Sequence, residues 1–152
     1  MNSIPQSNAQ PISVCFLIGS LEFGGAERQV VEMVRSFHPD RVKPFVCSLS
    51  REVPLADYLP RKSEQLVIAE KRGRFDLTTV FRVARILRER RCDVVHAFLF
   101  DAEIAARLAA RLAGVPVVTA AERNAEYVRP WLHQVALKLT QPLFTLMVAN
   151  SH

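Results

Sequence analysis

The feature that most constrains this chain is a change of hydrophobic period that recurs along its length. Ser13 to Ile18 (SVCFLI) is a short continuous apolar run closed by Gly19, the pattern of a strand buried on both faces. From Gly25 the period lengthens, with Ala26, Val30, Met33, Val34 and Phe37 at helical spacing. His38-Pro39-Asp40 stops that helix, because proline disfavours helical geometry in the residue before it. The alternation goes on to predict a strand at Pro44–Leu49, a helical turn at Leu55–Leu59 and a third strand at Gln65–Ala69. A helix capped by Asp76 should run to Arg91 with Leu77, Val80, Phe81, Ala84 and Leu87 inward, followed by a fourth strand at Asp93–Phe98. Asp101 is placed to cap an alanine-rich helix with Ile104, Leu108 and Leu112 as its inner stripe, closed by a left-handed Gly114. A fifth strand (Val115–Ala120), a helix (Pro130–Leu139) and a sixth strand (Phe144–Ala149) complete the pattern. Strands alternating with helices in this way imply one α/β domain over residues 13–152. Its core is a doubly wound parallel sheet with right-handed crossovers, and it follows a polar tail over residues 1–12.

Composition removes several other classes. A chain of 152 residues is one domain's worth, and 49% hydrophobic with 23% charged residues excludes a disordered or low-complexity chain. The longest mostly apolar stretch, Val135–Ala149, is broken by Lys138 and Pro142 and falls short of the roughly 20 residues a bilayer span requires. The first dozen residues carry neither a basic nor an apolar signal-peptide region, which predicts a cytoplasmic protein. Cys15, Cys47 and Cys92 are odd in number, widely spaced and set in strand-like runs, so they read as small buried hydrophobes. No metal site and no cofactor is expected.

The net charge of +5 invites an anionic partner, and it is unevenly placed. Between Lys71 and Arg91, eight cations (Lys71, Arg72, Arg74, Arg82, Arg85, Arg88, Arg90 and Arg91) face only Asp76 and Glu89, an excess larger than that of the whole chain. One reading is the solvated face of an amphipathic helix, its arginine stems covering apolar surface. The other is an anionic membrane surface met by Arg72, Arg74, Arg82, Arg85 and Arg88, each basic residue contributing about 1 kcal/mol there. Nucleic acid is not expected, because no groove-reading or stacking module accompanies the cluster.

Ligands of open parallel sheets bind outside the carboxyl ends of the strands, so the loops there are the candidate sites. After strand one, Gly24 and Gly25 lead into a helix N-terminus, whose free N–H groups favour a phosphate; a plain tight turn would look alike. This is not the dinucleotide fingerprint, since Leu21 stands where GxGxxG needs glycine and no acidic residue closes strand two, and there is no GK[ST] P-loop. His96 stands toward the end of strand four, either as a ligand contact or as a satisfied structural residue. After strand five, Glu122, Arg123 and Asn124 can bind a hydroxyl-rich or anionic ligand, or form a solvated loop.

Taken together, GGAERQV (Gly24–Val30), DVVHAF (Asp93–Phe98), DAEIAARLAARLAGVPVV (Asp101–Val118), the ERN loop (Glu122–Asn124) and VANS (Val148–Ser151) resemble the N-terminal, acceptor-side domain of family 4 glycosyltransferases. These are retaining enzymes of the GT-B fold, with two facing Rossmann-like domains. The resemblance implies a nucleotide-sugar donor approached by Gly24 and Gly25, and a glycan or lipid-linked acceptor met by His96, Glu122, Arg123 and Asn124. It implies front-side transfer in which the donor's own phosphates do much of the charge stabilisation. Many members place a histidine where this chain has Glu122, so no catalytic residue is assigned. The family's donor-binding half normally follows the NS segment, and this chain ends at His152, so the expectation is the acceptor half alone, inactive by itself. An unpaired interdomain face with Phe98, Leu99 and Phe100 is expected to favour self-association. The alternative is a non-catalytic module that docks on a membrane or a partner; a nicotinamide oxidoreductase is set aside by the failed fingerprint.

Overall fold

The computed structural model describes residues 10–73, 76–122, 135, 138–143 and 145–149. Six parallel strands form one sheet in the order β3-β2-β1-β4-β5-β6: β1 Ile12–Ile18, β2 Val42–Ser48, β3 Leu66–Ile68, β4 Val94–Phe98, β5 Val117–Glu122 and β6 Leu146–Ala149. The helices are α1 (Gly25–Ser36), the single turn α2 (Lys62–Gln65), α3 (Thr78–Glu89) and α4 (Phe100–Ala113), with 3-10 turns at Pro54–Tyr58 and Gln141–Leu143. The doubly wound α/β expectation holds, each predicted strand being found within a few residues of its expected span. The predicted helix at Pro130–Leu139 lies largely outside the described residues.

Strand order follows from the crossovers. The chain moves outward one way through β2 and β3, then returns past β1 to build β4, β5 and β6 on the other side. One face of the sheet packs Phe16, Ile18 and Val46 against Val30, Val31 and Val34 of α1. The other packs Cys15, Cys47 and Val95 against Val83 and Leu87 of α3 and the alanines of α4. All three cysteines are buried and unbridged, as expected. Burial pushes the Cys15 thiol up and the Cys92 thiol up to about 12, so both are held as neutral apolar groups.

Two helix faces differ from expectation. On α3 the buried side is Thr79, Val83, Ala84, Ile86 and Leu87, while Leu77 and Phe81 are 72% and 65% exposed. The helix is turned by roughly one residue's 100° from the stripe chosen on hydrophobicity alone. On α4 the buried side is Ala102, Ala105, Ala106, Ala109 and Ala110, while Ile104 and Leu108 are half-buried and Leu112 is exposed. Small side chains let the α4 backbone approach sheet and neighbour closely, so packing distance outweighed side-chain size. Asp101 is the second helical residue and not the cap, since α4 starts at Phe100 after Leu99. Gly114 closes α4 in the left-handed region at φ 75°, as predicted.

Asp76 does cap, at one remove. Its carboxylate accepts the N–H of Thr78 at 3.0 Å and of Arg72 at 2.9 Å, and the hydroxyls of Thr78 and Thr79. Those donors, with Arg82, hold its carboxyl far below the usual carboxylate range. Pro44 sits in β2 at no cost to pairing: β2's even-numbered residues face β3, as Ser48 shows by accepting from Ala69 at 2.8 Å, but β3 reaches only Val46–Ser48. The missing proline N–H therefore falls on an open edge.

Candidate functional site at the carboxyl edge

Because β1 and β4 are neighbours whose connections leave in opposite directions, the sheet has its switch point between them. A crevice at that point is where open α/β sheets take ligands. Three segments lie there: the glycine turn after β1, Leu99 after β4 and the last residue of β5, Glu122. The strand order places them side by side over two strand spacings, about 10 Å.

The glycine turn is fixed from below. Leu21 is fully buried, its N–H donating to Glu52 O and its carbonyl accepting from Leu55, both at 3.0 Å. Gly24 is the N-cap of α1 in extended conformation, so its glycine character does not come from φ. The Glu27 carboxylate folds back over the helix start and would lie 2.1 Å from a Cβ at position 24, a contact this flexible side chain can relieve by swinging aside. An acid in the first turn is favourable at the positive helix end. An anion approaching this helix end would face the Glu27 carboxylate.

The sequence reading set Leu99 with Phe98 and Phe100 on an unpaired interdomain face; Phe98 is instead buried in the core, while Leu99 stands exposed and in an unusual backbone conformation. At φ 68° and ψ 158° it occupies a backbone region that is almost confined to glycine, and it joins β4 to α4 at the switch point. Its carbonyl accepts from Glu103 N at 3.1 Å, and its side chain is 44% exposed. Strain of this kind clusters at binding sites, where surrounding structure maintains it.

His96 lies lower than expected. It is the third of five β4 residues, on the sheet face and not at the mouth, with its ring edge-on to Phe98 at 4.7 Å and to Phe16 at 6.0 Å. His96 Nδ1 and Thr119 Oγ1 share a hydrogen bond of 2.7 Å. Burial lowers its pKa from the ordinary 6.5, so the imidazole is neutral at pH 7. Glu122 ends β5 opposite Ala149 of β6, and Arg123 and Asn124 lie outside the described residues. Among the described residues no group of three or more metal-ligating side chains comes together.

Several described members of the basic cluster have protein partners. Arg82 is half-buried and brackets β3 to α3, donating to Ala69 O at 2.7 Å, Glu70 O at 2.5 Å and Asp76 at 2.7 Å. It is therefore not a free membrane-facing cation. Arg88 donates to Leu112 O, Arg90 reaches Glu64 O, and Arg85 pairs with Glu89 at 3.5 Å. Arg72 is exposed, and Arg74 lies outside the described residues. No described helix is long and apolar enough to cross a membrane.

Comparison with known proteins fits this architecture. The solved structure of Anabaena Alr3699/HepE in complex with UDP superposes with a TM-score of 0.73 at 16% identity, covering 92% of this chain and 38% of that one. The lipopolysaccharide outer core galactosyltransferase WaaB in its apo form matches at 0.52 and 14%, covering 72% and 32%. A putative UDP-N-acetylglucosamine 2-epimerase from Listeria monocytogenes matches at 0.64 and 15%, covering 93% and 40%. These likenesses show the Rossmann-like half of a GT-B fold, and the chain spans well under half the length of each. No curated protein sequence matches the chain. The family model for Glycosyltransferase Family 4 matches residues 23–152, from the glycine turn through β6, and the chain belongs to that family.

Proposed function

We propose that this chain is the acceptor-binding half of a glycosyltransferase that moves a sugar from a nucleotide-sugar donor to a glycan or lipid-linked acceptor in cell-envelope polysaccharide synthesis. The observation that carries this reading is the family match together with a glycine turn, a strained Leu99 and the end of β5 gathered at one switch point. Gly24 and Gly25 face the donor phosphates, Glu122, Arg123 and Asn124 face the acceptor, and a second, donor-side domain completes the cleft. Uridine diphosphate sugars are the donors to test first, since the HepE structure holds UDP. His96 supports the floor beneath the acceptor loops through Thr119.

A cytoplasmic location at the inner membrane face suits a lipid-linked acceptor. Leu77 and Phe81 project from α3 one turn apart with Arg85 a turn further on, an apolar-basic pattern suited to an anionic surface. The isolated chain is expected to turn over no nucleotide sugar and to bind nucleoside diphosphates weakly in calorimetry. A low-micromolar dissociation constant would show a complete site and refute the two-domain reading. In a protein carrying both halves, Arg123→Ala should impair transfer far more than stability, and wild-type turnover in that variant would remove Arg123 from the acceptor site.

A further inference from the structure

The amino edge of the sheet, opposite the glycine turn, holds a recess of about 440 Å³. It forms where β3 stops short of the first half of β2, between the end of α1, the chain around α2 and the end of α3. Its floor includes Val34, Phe37 and Val42, and its rim carries four cations, Arg35, Lys43, Arg61 and Arg90, against the single carboxylate of Glu64.

Arg90 is pre-positioned, with its guanidinium 5.3 Å over the Phe45 ring and a hydrogen bond to Glu64 O at 2.6 Å. Arg35 and Arg61 share charge with Glu32 and Glu64 at 3.4 and 3.9 Å, exposed pairs that are weak and easily exchanged for another anion. Lys43 has no ion pair among the described residues. Arg35 and Arg90 lie at the ends of α1 and α3, where cations offset the helix dipoles. Lys43 on a strand and Arg61 before a single helical turn have no such duty. With Arg35 and Arg61 partly offset by Glu32 and Glu64, the remaining positive excess lies on Lys43 and Arg90, and a bound anion would offset it.

We propose that this recess binds a phosphate ester bearing an apolar group, with Lys43, Arg61 and Arg90 holding the phosphate and Phe37 and Val42 receiving the apolar part. The site is separate from the carboxyl-edge crevice and does not depend on the sugar-transfer reading. A soluble ester and a phospholipid headgroup offer the same chemistry, and the test separates them. The chain is titrated with phenyl phosphate and with inorganic phosphate by calorimetry, and sedimented with phosphatidylcholine vesicles with or without phosphatidic acid. The recess variant combines Lys43→Glu with Arg61→Glu, both at exposed positions. A control of equal charge change combines Arg111→Glu with Lys138→Glu, also exposed and outside the recess. Lys43→Gln with Arg61→Gln serves if the charge reversals fail to fold.

Saturable binding of phenyl phosphate, tighter than that of inorganic phosphate, is expected to weaken about tenfold or more in the recess variant and stay within about twofold in the control. Sedimentation that needs phosphatidic acid and is lost only in the recess variant, without phenyl phosphate binding, assigns the same site to a lipid headgroup. Binding to neither, or equal loss in both double variants, overturns the proposal.

Discussion

Glu103 and Arg107 form an ion pair one turn apart on the buried side of α4, with side chains only 9% and 4% exposed. Arg107 also donates to Thr140 Oγ1 at 3.1 Å, tying α4 to the segment that leads into β6. Glu103→Leu would remove this carboxylate from beside the buried guanidinium, at a cost of about 3–5 kcal/mol. Replacing both members, Glu103→Leu with Arg107→Met, removes both buried charges together and refills the volume. That double variant is expected within about 2 kcal/mol of the native chain. The cycle should therefore show a coupling of at least about 2 kcal/mol. Urea unfolding followed by circular dichroism measures it. In a chain of this size the single variant should melt roughly 6–20 °C lower. Added salt should leave the coupling unchanged, whereas the exposed Lys62–Asp57 pair at 2.5 Å should be screened. A single variant costing less than about 1 kcal/mol, or a double variant as costly as the two singles combined, would mean that the charges are hydrated in solution and that the buried-pair reasoning is wrong.

The neutral imidazole of His96 should titrate below 6.5 by NMR, and since the unfolded chain takes up that proton first, stability falls as pH drops below 6.5; a midpoint above 6.5 would contradict its burial. Leu99→Gly should be more stable than Leu99→Ala, because both lose the side chain but only glycine relieves a backbone strain of about 1–3 kcal/mol; the reverse order of urea midpoints would remove the strain. The raised thiol of Cys92 favours the folded state fully below the ordinary thiol pKa of 9.0, and that contribution is lost as pH rises from there toward about 12. The native chain should correspondingly resist alkylation at pH 8 until unfolded, and rapid labelling of Cys15, Cys47 or Cys92 in the native state would refute their burial.

Periodicity and punctuation carried most of the fold. A run such as SVCFLI followed by Gly19 has few alternatives to a buried strand, and Pro39 and Gly114 stop helices by local backbone geometry that is independent of the rest of the molecule. For the site, the glycine turn after β1 followed from topology once the strands were known, but Glu122, expected in the loop after a strand ending at Ala120, is the last residue of β5. His96 could not be placed from topology: a residue at the end of an apolar run can stand at the mouth or two residues beneath it, and only the pairing of His96 with Thr119 and Phe98 distinguishes them.

What the sequence by itself determined is the order and type of the elements, since hydrophobic spacing and chain-stopping residues act within a few positions of where they stand. Tertiary structure alone decided which way α3 and α4 turn, because the distance between packed layers selects alanines over the larger Ile104 and Leu112. It also decided that Arg82, Arg88 and Arg90 reach backbone carbonyls far along the chain, and that Leu99 is strained. The recess at the open edge of β2 exists because β3 is short. Each of these depends on groups far apart in the chain meeting at fixed distances, and no local pattern of residues encodes such a meeting.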